Sequence, residues 1–469
     1  MQLLDTIAAI STPHGKGGVA MLRISGEGAI RVAAHVFRPA SGQALDALPP
    51  RHAAYGQILA PDADPAASWV AVDDGIATIY RAPASFTGED TVEICCHGGI
   101  LMTQTVLQAL LAAGARAAEA GEFTRRAYLN GKMGLSAAQS LGALLEAENR
   151  AQLTLAHAGI HETVEKKTRA IYEDLRAVMS QVLVCIDFPE EDLADMGREE
   201  MYDRITCCAG ALESLAGTYR TGHAVAEGIP TVICGQTNVG KSSLYNRLVG
   251  RDAAIVTEIA GTTRDILQER VTVGGEVTLL LQDTAGLRQA SDTVEKIGID
   301  RAHAAMDRAE LILAVFDGSR DLSEDEKALV SDLSRRAQGG QAVLTVCNKS
   351  DLTMATDVAL LRTLGEPILL SAATGSGLED LTERIRALFI DGQIDMRNDA
   401  VIATARQHAA CLRALSSLRS ALSGLQAGVA LDLCCVDIEG AMSALSELDG
   451  RAVDEDIVNE IFAHFCVGK

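Results

Sequence analysis

Aromatic side chains are scarce in this chain, making up 3% of its residues with a single tryptophan. Alanine and leucine dominate instead, which tilts the expectation toward helix. No apolar run approaches the roughly 18 residues that a membrane helix needs. The N-terminus, MQLLDTIAAISTP, lacks a basic start and carries Asp5 within a short apolar stretch, so neither a signal peptide nor a membrane span is expected. Positive charge is in deficit: 41 Lys and Arg against 63 Asp and Glu give a formal net charge of -22. Such a balance disfavours gripping bare nucleic acid or an anionic membrane through the overall field, leaving RNA contact to a local patch or a partner. The eleven cysteines fall as three adjacent pairs, Cys95-Cys96, Cys207-Cys208 and Cys434-Cys435, plus five singles. None has the C-x-x-C spacing of a zinc site or redox dithiol, and a cytoplasmic location is expected. Internal repeats and low-complexity tracts are absent.

At 469 residues the chain exceeds one ordinary core, so two or three domains are expected. Residues 1–123 hold short strand-like runs (Val19-Ile24, Gly75-Tyr80, Thr91-Cys95) and one helical stretch near Leu101-Ala113, suggesting a small α/β domain. Residues 124–221 read as helical throughout, with apolar recurrence at Ile171, Leu175, Val178 and Val182 and an interruption at Asp187-Phe188-Pro189. Over 222–390, strands alternate with helices: Thr231-Cys234, Val277-Leu281, Leu311-Phe316, Ala342-Cys347 and Ile368-Leu370 suit a buried parallel sheet in a doubly wound domain. Helical periodicity returns in 391–469, through Val401-Leu425 and Ile438-Phe465. The α/β module is thus expected as an insertion in a discontinuous helical domain.

The inserted module carries the chemistry. Gly235-Gln236-Thr237-Asn238-Val239-Gly240-Lys241-Ser242 matches G-x-x-x-x-G-K-[ST] between a strand and a helical pattern opening at Ser243. Its backbone N–H groups can cradle phosphates, Lys241 can reach the β and γ oxygens, and Ser242 can ligate Mg2+. Asp283-Thr284-Ala285-Gly286 ends an apolar strand and offers a carboxylate to the magnesium shell. Asn348-Lys349-Ser350-Asp351 ends another; Asp351 can accept from two guanine donors that adenine lacks, which points to GTP and away from a P-loop ATPase. Ser371-Ala372 ends the next, where a backbone N–H can meet guanine O6. In Gly261-Thr262-Thr263-Arg264-Asp265, Thr263 is a candidate for magnesium and the γ-phosphate. The residue after the DTAG segment is Leu287, which cannot orient water, so hydrolysis must recruit another group; Asp292 and Glu295 lie just downstream.

With these motifs in view, the sequence resembles the MnmE (TrmE) family of tRNA-modification GTPases over essentially its whole length. Further matches are Gly17-Gly18-Val19 with Leu22-Arg23-Ile24-Ser25-Gly26, Phe86-Thr87-Gly88-Glu89-Asp90, His97-Gly98-Gly99, Gly121-Glu122-Phe123-Thr124 with Leu129-Asn130-Gly131-Lys132, and the terminal Phe465-Cys466-Val467-Gly468-Lys469. After Lys132, Gly134, Ala137 and Gln139 depart from the family's polar pattern.

The resemblance implies an N-terminal domain that dimerises and binds 5-formyl-tetrahydrofolate through Arg23, Glu93, Lys132 and Lys469, with Cys466 important for modification. It also implies K+-stimulated GTPase activity, with Asn238 and the carbonyls of Thr257, Ile259 and Thr262 around the cation, and Glu258 and Ala260 in the same nucleotide-covering loop. Glu295 becomes the residue that positions water. The implied partners are a second copy of the chain, an MnmG-type FAD protein in a heterotetramer, and tRNA, whose wobble uridine is modified at C5. The competing expectation is a regulatory GTPase switch in ribosome assembly, without one-carbon chemistry.

Overall fold

The computed structural model describes residues 5–62, 69–187, 198–252, 268–282, 303–448, 450, 455–463, 465 and 467–468. The chain divides into two compact units, Met1–Gly142 with Asp449–Lys469, and Ala143–Leu448.

The first unit is built on a seven-stranded sheet of β1 (Ile7–Ile10), β2 (Val19–Ser25), β3 (Phe37–Pro39), β4 (Ala53–Ala60), β5 (Val70–Tyr80), β6 (Thr91–His97) and β7 (Arg116–Ala117). Their order is β3-β4-β5-β6-β2-β1-β7, antiparallel except for β1 with β7. Helices α1 (Ala29–Val36) and α2 (Ile100–Ala112) close a core that includes Leu22, Ile24, Val32, Ile58, Ile79, Ile94 and Leu110. Sequence reading expects neither α1 nor β1, β3, β4 and β7. Strand β4 is masked by its Ala and Gly content, which is poor in strand formers. Its Gly56 is there for proximity: a Cβ would lie 2.2 Å from the Arg38 carbonyl of β3.

Next come α3 (Glu122–Leu129) and α4 (Leu135–Glu146). The chain end returns to them: Val458 and Phe462, on a helix over Glu455–Ala463, pack with Leu135 and Ala138. Val467 forms a bridge with Ala120, and the Ser11 hydroxyl donates to the Gly468 carbonyl at 3.0 Å.

A charged cluster sits inside this unit. Arg126 is 2% exposed and meets Asp5 at 2.6 Å, Glu122 at 3.0 Å and Glu89 at 3.2 Å. Arg116 closes the ring onto Glu122 and Asp5, both at 2.7 Å. Burial works to raise the Glu122 carboxyl, but hydrogen bonds from Arg116, the Glu119 N–H and Arg126 bring it below its ordinary 4.5. Asp5 is lowered in the same way by Arg116 and Arg126.

In the second unit, α5 (Arg150–Ile160), α6 (Thr163–Asp187), α7 (Arg198–Gly217) and α8 (Tyr219–Ala226) precede the α/β module. The module holds β8 (Ile229–Cys234), α9 (Lys241–Asp252), β9 (Gln268–Val273), β10 (Val277–Gln282), β11 (Leu311–Asp317), α10 (Glu324–Gln338), β12 (Ala342–Asn348), α11 (Val358–Leu361), β13 (Ile368–Leu369) and α12 (Leu378–Phe389). Sheet order is β13-β12-β11-β8-β10-β9, parallel except for the β9–β10 hairpin. Leu244 and Leu248 of α9 and Leu381 and Ile385 of α12 cover one face, while Val330 and Leu333 of α10 cover the other. Every residue of β11 is buried, as a strand covered on both faces requires. This is the doubly wound fold.

After the module, α13 (Ala405–Gln426) and α14 (Leu431–Leu448) pack with α6 and α7 around Leu175, Val178, Ile205, Leu212, Leu418, Ile438 and Leu445. Helix α13 starts later than the periodicity from Val401 suggests. Thr404 and Gln407 form its capping box, while the Ile402 N–H donates to the Thr218 hydroxyl at 3.0 Å. Among the described residues no helix is long and apolar enough to cross a membrane.

Glu122→Gln is expected to destabilise the first unit by about 3 kcal/mol, the low end for losing one partner of a buried pair because Arg116 can rehydrate. A carboxyl lowered in the folded state stabilises fully above its unfolded pKa and loses that contribution as pH falls through the folded value. Urea unfolding of the variant should therefore vary less with pH below about 4.5 than the parent's; equal slopes would contradict the assignment.

Candidate functional site

The phosphate-loop motif spans the turn from β8 into α9, beside the ends of β11 and β12. Three of its residues have backbones that few side chains tolerate: Gly235 at φ +141, Asn238 at φ +66 and Gly240 at φ +101. A Cβ on Gly240 would lie 2.0 Å from the Asn348 Nδ2, and one on Gly235 would lie 2.2 Å from the Val315 carbonyl. Glycine is thus required by contact as well as by φ. The Lys241 ammonium arches back over the loop, donating to the Gly235 carbonyl at 2.9 Å and the Gln236 carbonyl at 2.7 Å. Burial lowers the pKa of this ammonium. Val239 is buried, whereas Ser242 and Ser243 stand exposed on the first turn of α9.

Asn348, at the end of β12, is 3% exposed and uses both ends of its amide. Its Nδ2 donates to the Val239 carbonyl at 2.7 Å, and its Oδ1 accepts from the Ala372 N–H at 2.9 Å. One side chain therefore ties the phosphate loop to the loop after β13. Both backbone N–H groups of the Ser371-Ala372 pair expected to meet guanine O6 already have partners, Ser371 on the Ser376 carbonyl at 3.0 Å and Ala372 on Asn348, so an O6 donor must share one of those hydrogens or come from the next amide. Lys349 turns at φ +65, and its ammonium pairs with Asp317 at 2.6 Å. Burial works to raise the Asp317 carboxyl, but bonds from Lys349 and Ser319 hold it below its ordinary value. The Ser350 N–H donates to Leu370 at 3.1 Å, leaving Asp351 exposed beside Asn348. Buried Ser371 accepts the Thr374 N–H on its hydroxyl at 3.2 Å.

Two supporting residues escaped sequence reading. Arg247 on α9 donates to the Ala372 carbonyl at 3.0 Å and to the Ala373 carbonyl, bracing the loop after β13 from the phosphate-loop helix. Asp317 anchors Lys349. A lone arginine on a helix and an aspartate at a strand end carry no motif, so neither gives a signal. The Thr257, Glu258, Ile259, Ala260, Gly261, Thr262 and Thr263 loop, the Asp283, Thr284, Ala285 and Gly286 turn, Asp292 and Glu295 all lie outside the described residues.

In the first unit, Arg23 on β2 lies opposite Glu93 on β6, and the guanidinium donates to it at 2.8 and 3.0 Å. The same guanidinium lies 5.2 Å from the Phe86 ring centre and 5.8 Å from that of Phe123. Tyr80 donates to the other Glu93 oxygen at 3.3 Å, and its phenol is raised in pKa by burial and by Glu93. Lys132 reaches the Pro83 carbonyl at 2.8 Å instead of joining this pair. Cys466 and Lys469 lie outside the described residues.

Asn348→Ala would strand a buried carbonyl and a buried N–H, each worth about 1–3 kcal/mol. The variant should melt lower and bind guanine nucleotide more weakly, measured by thermal denaturation and fluorescent-nucleotide titration. Parental values in both would show that the amide bridge is dispensable.

Two family models match: the GTP-binding protein TrmE N-terminus over residues 6–132 and the MnmE helical domain over residues 135–466. A tRNA modification GTPase MnmE from Symbiobacterium thermophilum is 40% identical over 468 residues, covering 99% of each chain. Its counterpart from Geobacillus kaustophilus is 37% identical over 473 residues, covering 100% of both. Among solved structures, Era from Aquifex aeolicus matches 40% of this chain and 65% of its own, at 22% identity and a TM-score of 0.27. With relatives above 30% identity along its full length and both family models matched, the chain belongs to the MnmE family of tRNA modification GTPases.

Proposed function

We propose that this GTPase is potassium-stimulated and works in the cytoplasm as a homodimer, joined to an MnmG-type FAD protein in a heterotetramer. Its task is C5 modification of the wobble uridine of certain tRNAs, with an aminomethyl or carboxymethylaminomethyl group built from a reduced folate such as 5-formyl-tetrahydrofolate. The observation that carries this reading is full-length kinship: relatives named for tRNA modification align with 99% of this chain. A switch acting in ribosome assembly has no need of the first unit's matched segment, residues 6–132.

Within this reading, residues 222–390 form the G domain, residues 1–123 the folate-binding and dimerisation domain, and 124–221 with 391–469 the helical domain. Asn238, Val239, Gly240, Lys241, Ser242 and Ser243 hold the triphosphate through backbone N–H groups, the lysine ammonium and hydroxyls. Asn348, Lys349, Ser350 and Asp351, with Ser371 and Ala372, frame the guanine. Ser242, Thr263 and Asp283 would serve Mg2+, which when bound offsets phosphate charge. Asn238, Thr257, Ile259 and Thr262 would hold K+, and Glu295 would position the attacking water. Lys241 leaves the Gly235 and Gln236 carbonyls to meet the phosphates, a short swing of an ammonium that burial has already partly desolvated.

Arg23, Glu93, Lys132 and Lys469 are assigned to the folate, and Cys466 to the modification chemistry. A guanidinium held by a carboxylate between two phenylalanine rings suits a flat, polar ligand, since arginine both stacks and donates in a plane.

Turnover of GTP should be at least about tenfold faster in K+ than in Na+, because a cation fitted between phosphates and loop carbonyls supplies charge that no motif arginine does. Equal rates in the two salts would contradict the cation assignment. Arg23→Ala and Lys132→Ala should each weaken 5-formyl-tetrahydrofolate binding in calorimetry while leaving GTP affinity unchanged. A parent protein that binds no reduced folate would favour the switch reading instead.

A further inference from the structure

We propose that His157 and His161 form a binding site for a divalent late first-row metal ion, best suited to Zn2+, at the C-terminal end of α5. The two imidazole Nε2 atoms face each other 3.4 Å apart, and the rings meet edge to face with centroids 4.6 Å apart. At 3.4 Å this is a long, weak hydrogen bond. It is, however, the right separation for two ligands on one metal. With Zn–N bonds of about 2.05 Å and a tetrahedral angle, two nitrogens lie about 3.3 Å apart.

Three features of α5 support the site. The histidines stand four residues apart, so both side chains project from one helical face, as in helical zinc motifs. That face is exposed, while Ala151, Leu155, Ala156 and Ala158 are buried and anchor the helix. Asn149 caps the other end by accepting the Gln152 N–H at 2.9 Å. His157 lies in the last turn and His161 is the C-cap residue, where the helix's partial negative charge favours a cation. One charge opposes it: the Lys166 ammonium donates to the His161 carbonyl at 2.9 Å. Two positions of a tetrahedron are filled by imidazole and two remain for water.

The site concerns the activity as well. The N-cap Asn149 of the same helix donates to the Thr278 hydroxyl of β10 at 3.3 Å, and the adjacent Glu148 pairs with Arg270 of β9 at 3.0 Å. A metal that clips the last turn of α5 therefore stiffens a helix whose first turn holds the β9–β10 hairpin of the nucleotide-binding module.

The test uses the untagged full-length chain carrying Cys207→Ser, which removes the one exposed thiol among the described residues. Calorimetric titration with Zn2+ should find one more bound ion per chain than in His157→Gln or His161→Gln made in the same background. Zn2+ should also raise the melting temperature of the former but not of either variant, and all three proteins should melt alike without metal because both rings are exposed. Identical zinc stoichiometry and affinity in parent and variants, or no binding by the parent, would overturn the proposal.

Discussion

The nucleotide-binding module depends on a single buried amide. Asn348 has two polar ends and meets two backbone partners that belong to different loops, Val239 and Ala372. In a covered site each unmet backbone group would cost more than the net value of the bond itself, so the two loops hold their relative position. Gly240 is the counterpart of this arrangement, since a side chain there would occupy the place of the Asn348 amide. Arg247 adds a second tie between the same elements, from α9 to the carbonyls of the loop after β13. The loops proposed to hold the phosphates and the base are thereby parts of one assembly at the ends of parallel strands, where doubly wound sheets place their ligands.

The first unit follows a similar logic with charges in place of an amide. Arg126 lies among Asp5, Glu89 and Glu122, and the hydroxyls of Ser25 and Thr87 join at 2.7 Å, with Ser25 also donating to Glu89 at 2.7 Å. The Asn130 amide donates to the Thr87 carbonyl at 2.7 Å. Several residues that mark the family in sequence therefore spend their polar atoms on one another. Their presence testifies to a shared scaffold, and Arg23 with Glu93 stands at the edge of it.

Much of this was legible in the sequence for local reasons. The phosphate loop and the Asn348 segment are short, contiguous patterns next to apolar runs, and the structure places both at strand ends as the patterns require. Parallel strands covered on both faces read clearly because β11 and its neighbours are mostly apolar runs rich in β-branched and aliphatic residues. The sheet of the first unit was harder, because β4 is rich in Ala and Gly, and β1 and β7 are too short for alternation to register. Arg126 was invisible: its partner Asp5 lies 121 positions away, and an arginine on a polar helix normally faces water. The folate residues owe their assignment to family resemblance, since an ion pair between adjacent strands has no ligand signature of its own.

The central claim is that GTP hydrolysis in this chain serves tRNA modification. Its most direct test is mass spectrometry of tRNA nucleosides from a strain lacking the protein, complemented either by the parent chain or by Lys241→Ala. The account predicts that C5-substituted wobble uridines disappear on deletion, return with the parent chain and stay absent with the variant that cannot grip the triphosphate. Unchanged levels of these nucleosides in the deletion strain would contradict it.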